Sequence, residues 1–348
     1  AERTPEDLLR RAARLTLDEV QHHPPLLAAI KRAVDERRTP GRFLLTESAN
    51  LLLLRRVAES LAGRAIYLTL WPMTRREQIG LGAAGAWGRL FREPASRWPD
   101  LLEAEEAPAA DWRALARHGG YPVPALRLAD DSERSDWFAG YAASYLERDV
   151  LQLSAVHSLV DLRRLMRAAC LRLGTLVNQT ELGRDVGLPQ ATVYRHLGLL
   201  EASYQLVRLP AYAVNRTKRL IKTPKLYWCD PGLAMHLAAE TVPRGEHLEN
   251  LVLADLLSWA AAEAERTEVL YWRTAGGEEV DFVIERGRRL LAVEVKAATR
   301  VSGRDVAGLR SFRAEYGSAV VGGLLLYGGR ETVRLAEGIV ATPWWRVV

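Results

Sequence analysis

At 348 residues the chain is long enough for two or three domains, each with a core of its own. Hydrophobic residues at 48% and charged residues at 26% exclude a disordered or fibrous protein, and a net charge of +5 favours an anionic partner only weakly. Two isolated cysteines, Cys170 and Cys229, exclude a disulfide framework and a thiolate metal site. No apolar run approaches the ~18 residues that span a bilayer, and no signal peptide opens the chain. A cytoplasmic protein without a membrane partner is expected. Because the first methionine is Met73, the chain is also expected to be a fragment of a longer reading frame.

The first third alternates strands and helices. Leu15 to Leu17 reads as a strand running into Asp18 and Glu19, Pro25 to Val34 as a helix, and Arg42 to Leu45 as a strand ending at Thr46. Leu51 to Leu61 is helical by periodicity and Ala65 to Leu70 reads as a third strand, so a parallel sheet with helices on its faces is expected. The Ala- and Pro-rich stretch from Glu93 to Val123 reads as a connection with one helix. Helix returns from Ser135 to Cys170. A helix, a turn at Gly187 and a second helix follow, and then a strand-like, basic stretch reaches Tyr227. From Glu246 the order is helix, strand, hairpin, strand, helix, strand. Gly80-Leu-Gly82-Ala-Ala-Gly85 matches a dinucleotide pattern but lacks the strand that must feed it.

Three constellations carry chemistry. Acids at a strand end can hold a magnesium shell and an attacking water, roles that fit Asp18 and Glu19, while Thr46 on the next strand could sense a γ-phosphate. The alternative is a solvated turn. In the second constellation, Gln190, Thr192, Tyr194 and Arg195 occupy the early, polar part of the second helix, where a major-groove reader meets bases. Arg216, Lys218, Arg219, Lys222 and Lys225 then place five cations in ten residues without an acid, a ribbon suited to DNA phosphates or, alternatively, to a protein partner. In the third, Asp281 on one strand and Glu294 and Lys296 on the next should meet across a hairpin: two hard-oxygen ligands and a cation, as magnesium-dependent phosphodiester cleavage requires. The alternative is a structural salt bridge. Alternation is expected to put Val280, Phe282 and Ile284 on one face. The seven histidines show no ligating spacing. Only five of the basic residues are lysines, so each lysine stands out.

The run from LTLDEV through LTLWPMTRRE resembles the Walker B and sensor strands of bacterial and archaeal AAA-type ATPases that carry a C-terminal domain of unknown function. The likeness continues through GGYP (119–122), YLERDV (145–150), KLYWCDPGLA (225–234) and the EVDF and EVK elements. It implies ATP as cofactor and an α/β fold, and Arg64 could act as an arginine finger between subunits of a homo-oligomer, the alternative being a surface arginine or structural cap. That fold has a partial AAA-like parallel sheet (1–118), a helical and winged-helix middle (119–240) and a restriction-endonuclease-like α/β end (241–348). Two departures count against ATP. No Gly-x-x-x-x-Gly-Lys-Ser/Thr occurs, so ATP is expected only if a P-loop precedes residue 1, and Glu47 stands where the family has glycine. Asp281, Glu294 and Lys296 resemble the PD-(D/E)XK nucleases, and Glu249 matches the acidic helix residue that completes their Mg2+ site. The expected role is a DNA-associated ATPase-family protein with an incomplete motor site. Its rival is a non-enzymatic scaffold.

Overall fold

The computed structural model describes residues 4–20, 23–46, 61–147 and 158–348, with side chains of 145–147 outside the description. Glu47, most of the expected helix from Leu51 and part of YLERDV therefore lie outside the described residues. At the start, α1 (Pro5–Leu9) and α2 (Pro24–Glu36) flank β1 (Leu15–Leu17) and β2 (Phe43–Leu45). The two strands pair in parallel, Leu15 opposite Phe43 and Leu17 opposite Leu45. Pro24 and Pro25 open α2, where no N–H is needed, and Leu26, Leu27 and Ile30 turn one stripe into a small core with Leu9, Val20 and Leu61. The expected third strand does not form. Ile66, Leu68 and Leu70 are 90%, 77% and 96% exposed, because the backbone of that run finds no strand to pair with among the described residues.

The Ala- and Pro-rich stretch is not a plain connection. It folds, with the residues before it, as α3 (Trp87–Arg92), α4 (Trp98–Glu103) and α5 (Trp112–His118). Trp87, Trp98 and Trp112 are buried in the same core as the C-terminal sheet. Residues 80–85 follow a short helix, Arg75–Gln78, rather than a strand, which disposes of the dinucleotide pattern.

The middle comprises α6 (Asp131–Tyr141), α7 (Leu159–Cys170), α8 (Gln179–Val186), α9 (Gln190–Ala202), β3 (Leu206–Leu209), α10 (Arg216–Ile221), β4 (Lys225–Trp228) and α11 (Pro231–Ala238). Asn178 caps α8 through the Glu181 N–H, and Gly187 ends it at φ 72°, a left-handed conformation that suits glycine. The basic stretch after Leu209 is helical at α10, not a strand. β3 and β4 pair antiparallel, Leu206 opposite Trp228 and Leu209 opposite Lys225.

The C-terminal third places α12 (Gly245–Ala262) and α13 (Ala307–Tyr316) on opposite faces of a mixed six-stranded sheet. Its strands are β5 (Thr267–Arg273), β6 (Glu279–Arg286), β7 (Arg289–Lys296), β8 (Val320–Tyr327), β9 (Val333–Ala336) and β10 (Ile339–Pro343), in the order β5-β6-β7-β8-β10-β9. β5, β6 and β7 run antiparallel, and β8 joins β7 in parallel. Leu248, Val252, Leu256 and Trp259 repeat at helical spacing and seat α12 on Phe282, Ile284, Leu291 and Val293. Val280 departs from the expected alternation. It packs with Val283 and Ala292 on the α13 side, next to the register shift between Leu270 and Trp272 of β5.

Candidate carboxylate site and nucleic-acid surface

β4 links the middle of the chain to the C-terminal sheet because both of its faces are buried. Leu226 and Trp228 enter the core of the middle helices, whereas Tyr227 enters the core beneath α12. The side chain of Asn250 grips this strand as a neighbouring strand would: its Oδ1 accepts from the Trp228 N–H at 2.9 Å and its Nδ2 donates to the Trp228 carbonyl at 2.8 Å. The preceding residue on α12, Glu249, then accepts from the Tyr227 hydroxyl at 3.0 Å.

Around that anchor the structure gathers the expected acids. Asp281 is 7% exposed. Its Oδ2 accepts from the Val295 N–H at 3.0 Å, which ties β6 to β7 at the point of interest. Glu294, 9% exposed, accepts at Oε1 from Lys296 Nζ at 2.6 Å, while its Oε2 is buried without a hydrogen-bond partner. Burial, followed by the charge of Asp281, raises both Glu249 and Glu294 to about 8. Burial alone would lower Lys296, but Glu294 and its hydrogen bond outweigh that and raise it.

Lys225 is the residue that sequence reasoning assigned elsewhere. Expected on a phosphate-facing ribbon, it is 2% exposed and donates to Asp281 Oδ1 at 3.3 Å while pairing with Glu279. Burial would depress its ammonium, but Asp281, Glu249 and Glu279 more than reverse that and hold it raised. The signal in the sequence is a lysine heading an otherwise apolar strand, KLYW, in a chain with five lysines. Glu249, Asp281 and Glu294 have the oxygen chemistry that magnesium needs, and the unsatisfied Glu294 oxygen fits a cation. Among the described residues, however, no three acids, histidines or cysteines stand close enough to hold one ion. The ammonium of Lys225 sits among them instead.

The basic ribbon is also reduced. Arg219 turns inward beneath α10, donating from Nε to the Ala213 carbonyl at 2.7 Å and from its guanidinium to Glu268 at 3.1 Å and to Glu285 at 3.0 Å. Arg216, Lys218 and Lys222 stay exposed beside bare Leu220 and Ile221. On α9, Gln190, Tyr194 and Arg195 are exposed and Thr192 is half-buried.

At the other end of the chain, the Thr46 hydroxyl hydrogen-bonds Asp18 Oδ1, bringing together the ends of β1 and β2, and Glu19 takes a positive φ of 50°. Both acids are exposed. Arg64 forks onto Asp35 at 2.6 and 3.0 Å, so its guanidinium is engaged within its own chain. Two motifs that carry no expected chemistry prove structural. Asp230, fully buried, caps α11 at the Leu233 N–H and accepts from the Gly120 N–H at 2.5 Å. A side chain at Gly119 would meet its carboxylate, so GGYP and CDPGLA form one joint.

With this geometry in place, comparison with known proteins divides the chain in three. Residues 2–79 match an AAA domain, residues 109–243 match a domain of unknown function (DUF8612), and residues 244–347 match another domain of unknown function (DUF4143). An AAA-type, ATPase-like organisation with C-terminal domains of unknown function is therefore supported. The chain is similar to the uncharacterized protein Rv2008c of Mycobacterium tuberculosis and to the uncharacterized protein Mb2031c of Mycobacterium bovis. Each is 28% identical over 338 residues, spanning 94% of this chain and 68% of the relative. No solved structure matches. No helix among the described residues is long and apolar enough to cross a membrane.

Proposed function

We propose that the chain is a DNA-associated, AAA-type ATPase-like protein whose C-terminal sheet carries a magnesium-dependent, nuclease-like site. The observation that supports this reading is that one helix and two adjacent strands bring Glu249, Asp281, Glu294 and Lys296 within electrostatic reach of one another, with one buried carboxylate oxygen of Glu294 left without a partner. Glu249, Asp281 and Glu294 would hold the ion, and Lys296 would place positive charge on the scissile phosphate. Bound magnesium would supply charge stabilisation and an activated water. Arg216, Lys218 and Lys222 would hold phosphates, with Gln190, Thr192 and Arg195 nearer the bases. Nucleotide chemistry at Asp18, Glu19 and Thr46 requires a phosphate cradle that the given sequence does not contain.

Incubating supercoiled and linear duplex DNA with magnesium or manganese tests the reading. Cleavage by the wild type that disappears in Asp281→Asn and Lys296→Ala is expected. Equal nicking by all three, or none, overturns it. The scaffold reading gains from one specific observation: Lys225 already compensates the acids, so the cluster can serve as an ionic joint between β4 and the sheet.

A further inference from the structure

Four carboxylates, Glu249, Glu279, Asp281 and Glu294, lie within electrostatic reach of one buried ammonium that the C-terminal domain does not itself supply. Lys225 comes from β4, across the boundary between the two domains of unknown function. Its Nζ is 3.3 Å from Asp281 Oδ1 and paired with Glu279, and its side chain is 3% exposed. Arg273 covers the outer side of Glu279 at 3.3 Å, and Lys296 is committed to Glu294. The strand that delivers Lys225 is fixed by Asn250 and by the Tyr227–Glu249 bond, so the ammonium is aimed and not merely nearby.

We propose that Lys225 is the resident cation of the carboxylate site, and that a divalent ion and the Lys225 ammonium are alternative occupants of it. The inference rests on the metal-site reading above and adds a competitor to it. A buried cluster of acids needs a counter-charge, and one ammonium held by oxygens of Glu279 and Asp281 fills the place that a divalent ion would take from Asp281. That no ion-sized trio of acids stands among the described residues then has a physical cause: the carboxylates here are spaced around an amine. An ion can enter only as β4 withdraws its side chain, so metal binding and the seating of the middle domain on the sheet are linked.

The chain has only five lysines, which makes a direct measurement on the wild type possible. Amine-reactive labelling followed by peptide mass spectrometry should modify the exposed Lys218 and Lys222 readily and Lys225 slowly. Adding manganese should speed labelling of Lys225 by about fivefold or more while leaving Lys218 and Lys222 unchanged. Unchanged labelling of Lys225 at a manganese concentration that calorimetry shows to be saturating overturns the proposal. The second arm titrates manganese into Lys225→Met, Lys225→Arg and Asp281→Asn. Lys225→Met should bind about tenfold more tightly than the wild type, and Lys225→Arg, which keeps the charge, should not. Equal affinity of the wild type and Lys225→Met, with loss in Asp281→Asn, removes the competition but keeps the metal site. No binding by any variant removes both.

Discussion

Two acidic pairs to which the sequence assigns metal chemistry are built in opposite ways. Asp18 and Glu19 follow a three-residue strand and are exposed, so water reaches both. Asp281 and Glu294 sit on eight-residue strands inside a six-stranded sheet and are 7% and 9% exposed. There each charge must be met by protein: Lys225, Lys296 and the Val295 N–H. Residue type alone does not separate such pairs. What separates them is how much surrounding structure is committed to carrying the charge.

The sharpest way to break this contrast is to remove the cation. Lys225→Met leaves the buried Asp281 without its cation, a change that costs about 3–5 kcal/mol when one partner of a buried pair is lost. Urea unfolding near pH 8 is the measurement. A loss below about 1 kcal/mol would make the buried pair energetically like an exposed one.

Next in size is the response to pH. Glu249 and Glu294 are raised from 4.5 to about 8, so the folded state holds their protons more tightly than the unfolded chain does. Their stabilising contribution is complete below the unfolded value and is lost as pH climbs through about 8. Asp230 and Asp255, each raised by burial to about 6, act with the same sign at lower pH. Unfolding free energy should therefore fall between pH 5 and 8, by on the order of 3 kcal/mol. Glu249→Gln should make that fall shallower over the whole interval, because the unfolded chain has already lost this proton near 4.5 while the folded state holds it to about 8. A wild type that gains stability over the same range would mean that the carboxylates are charged at little cost.

Much of this architecture was legible where a local rule and the tertiary structure agree. Leu15–Leu17 and Phe43–Leu45 form as expected because apolar runs of that length, bounded by turn residues, have few alternatives. The turn at Gly187 and the β6–β7 hairpin follow from local chemistry, and the hairpin brings Asp281 to the strand of Glu294. Partners set the rest. The run 65–70 has strand composition yet lies exposed for want of a neighbour, and Trp87, Trp98 and Trp112 punctuate a stretch that reads as linker but fill a distant core. Lys225 and Arg219 read as ribbon cations because their partners, Glu279 and Asp281 for one and Glu268 and Glu285 for the other, lie about fifty or more residues away.

That difference between inward and outward cations predicts a smaller, separable effect on DNA binding. Lys218 and Lys222 are exposed, so replacing both with alanine should reduce the log–log salt slope by about 2 and lower affinity evenly on unrelated duplexes. Arg219→Ala should leave that slope unchanged and instead lower the denaturation midpoint, because Glu268 and Glu285 lose their shared partner. Fluorescence anisotropy across a salt series separates the two. Salt-insensitive association, or none, would direct the exposed cations to another partner.

The smallest expected effect belongs to the exposed acids. Asp18→Asn keeps an oxygen that can accept the Thr46 hydroxyl and removes only a charge that water already solvates. Substitution at such a position usually leaves stability within experimental error, so the melting temperature should move by less than about 1 °C. Asp281→Asn makes the same chemical change where Lys225 needs the charge, and it should move the melting temperature by several times more. Scanning calorimetry of the two variants side by side measures the contrast with the chemistry held constant. Equal shifts would mean that the surroundings of Asp281, and not its charge, hold β6 to β7. A large shift at Asp18 alone would place the more heavily supported acid at the end of β1, beside the Thr46 hydroxyl.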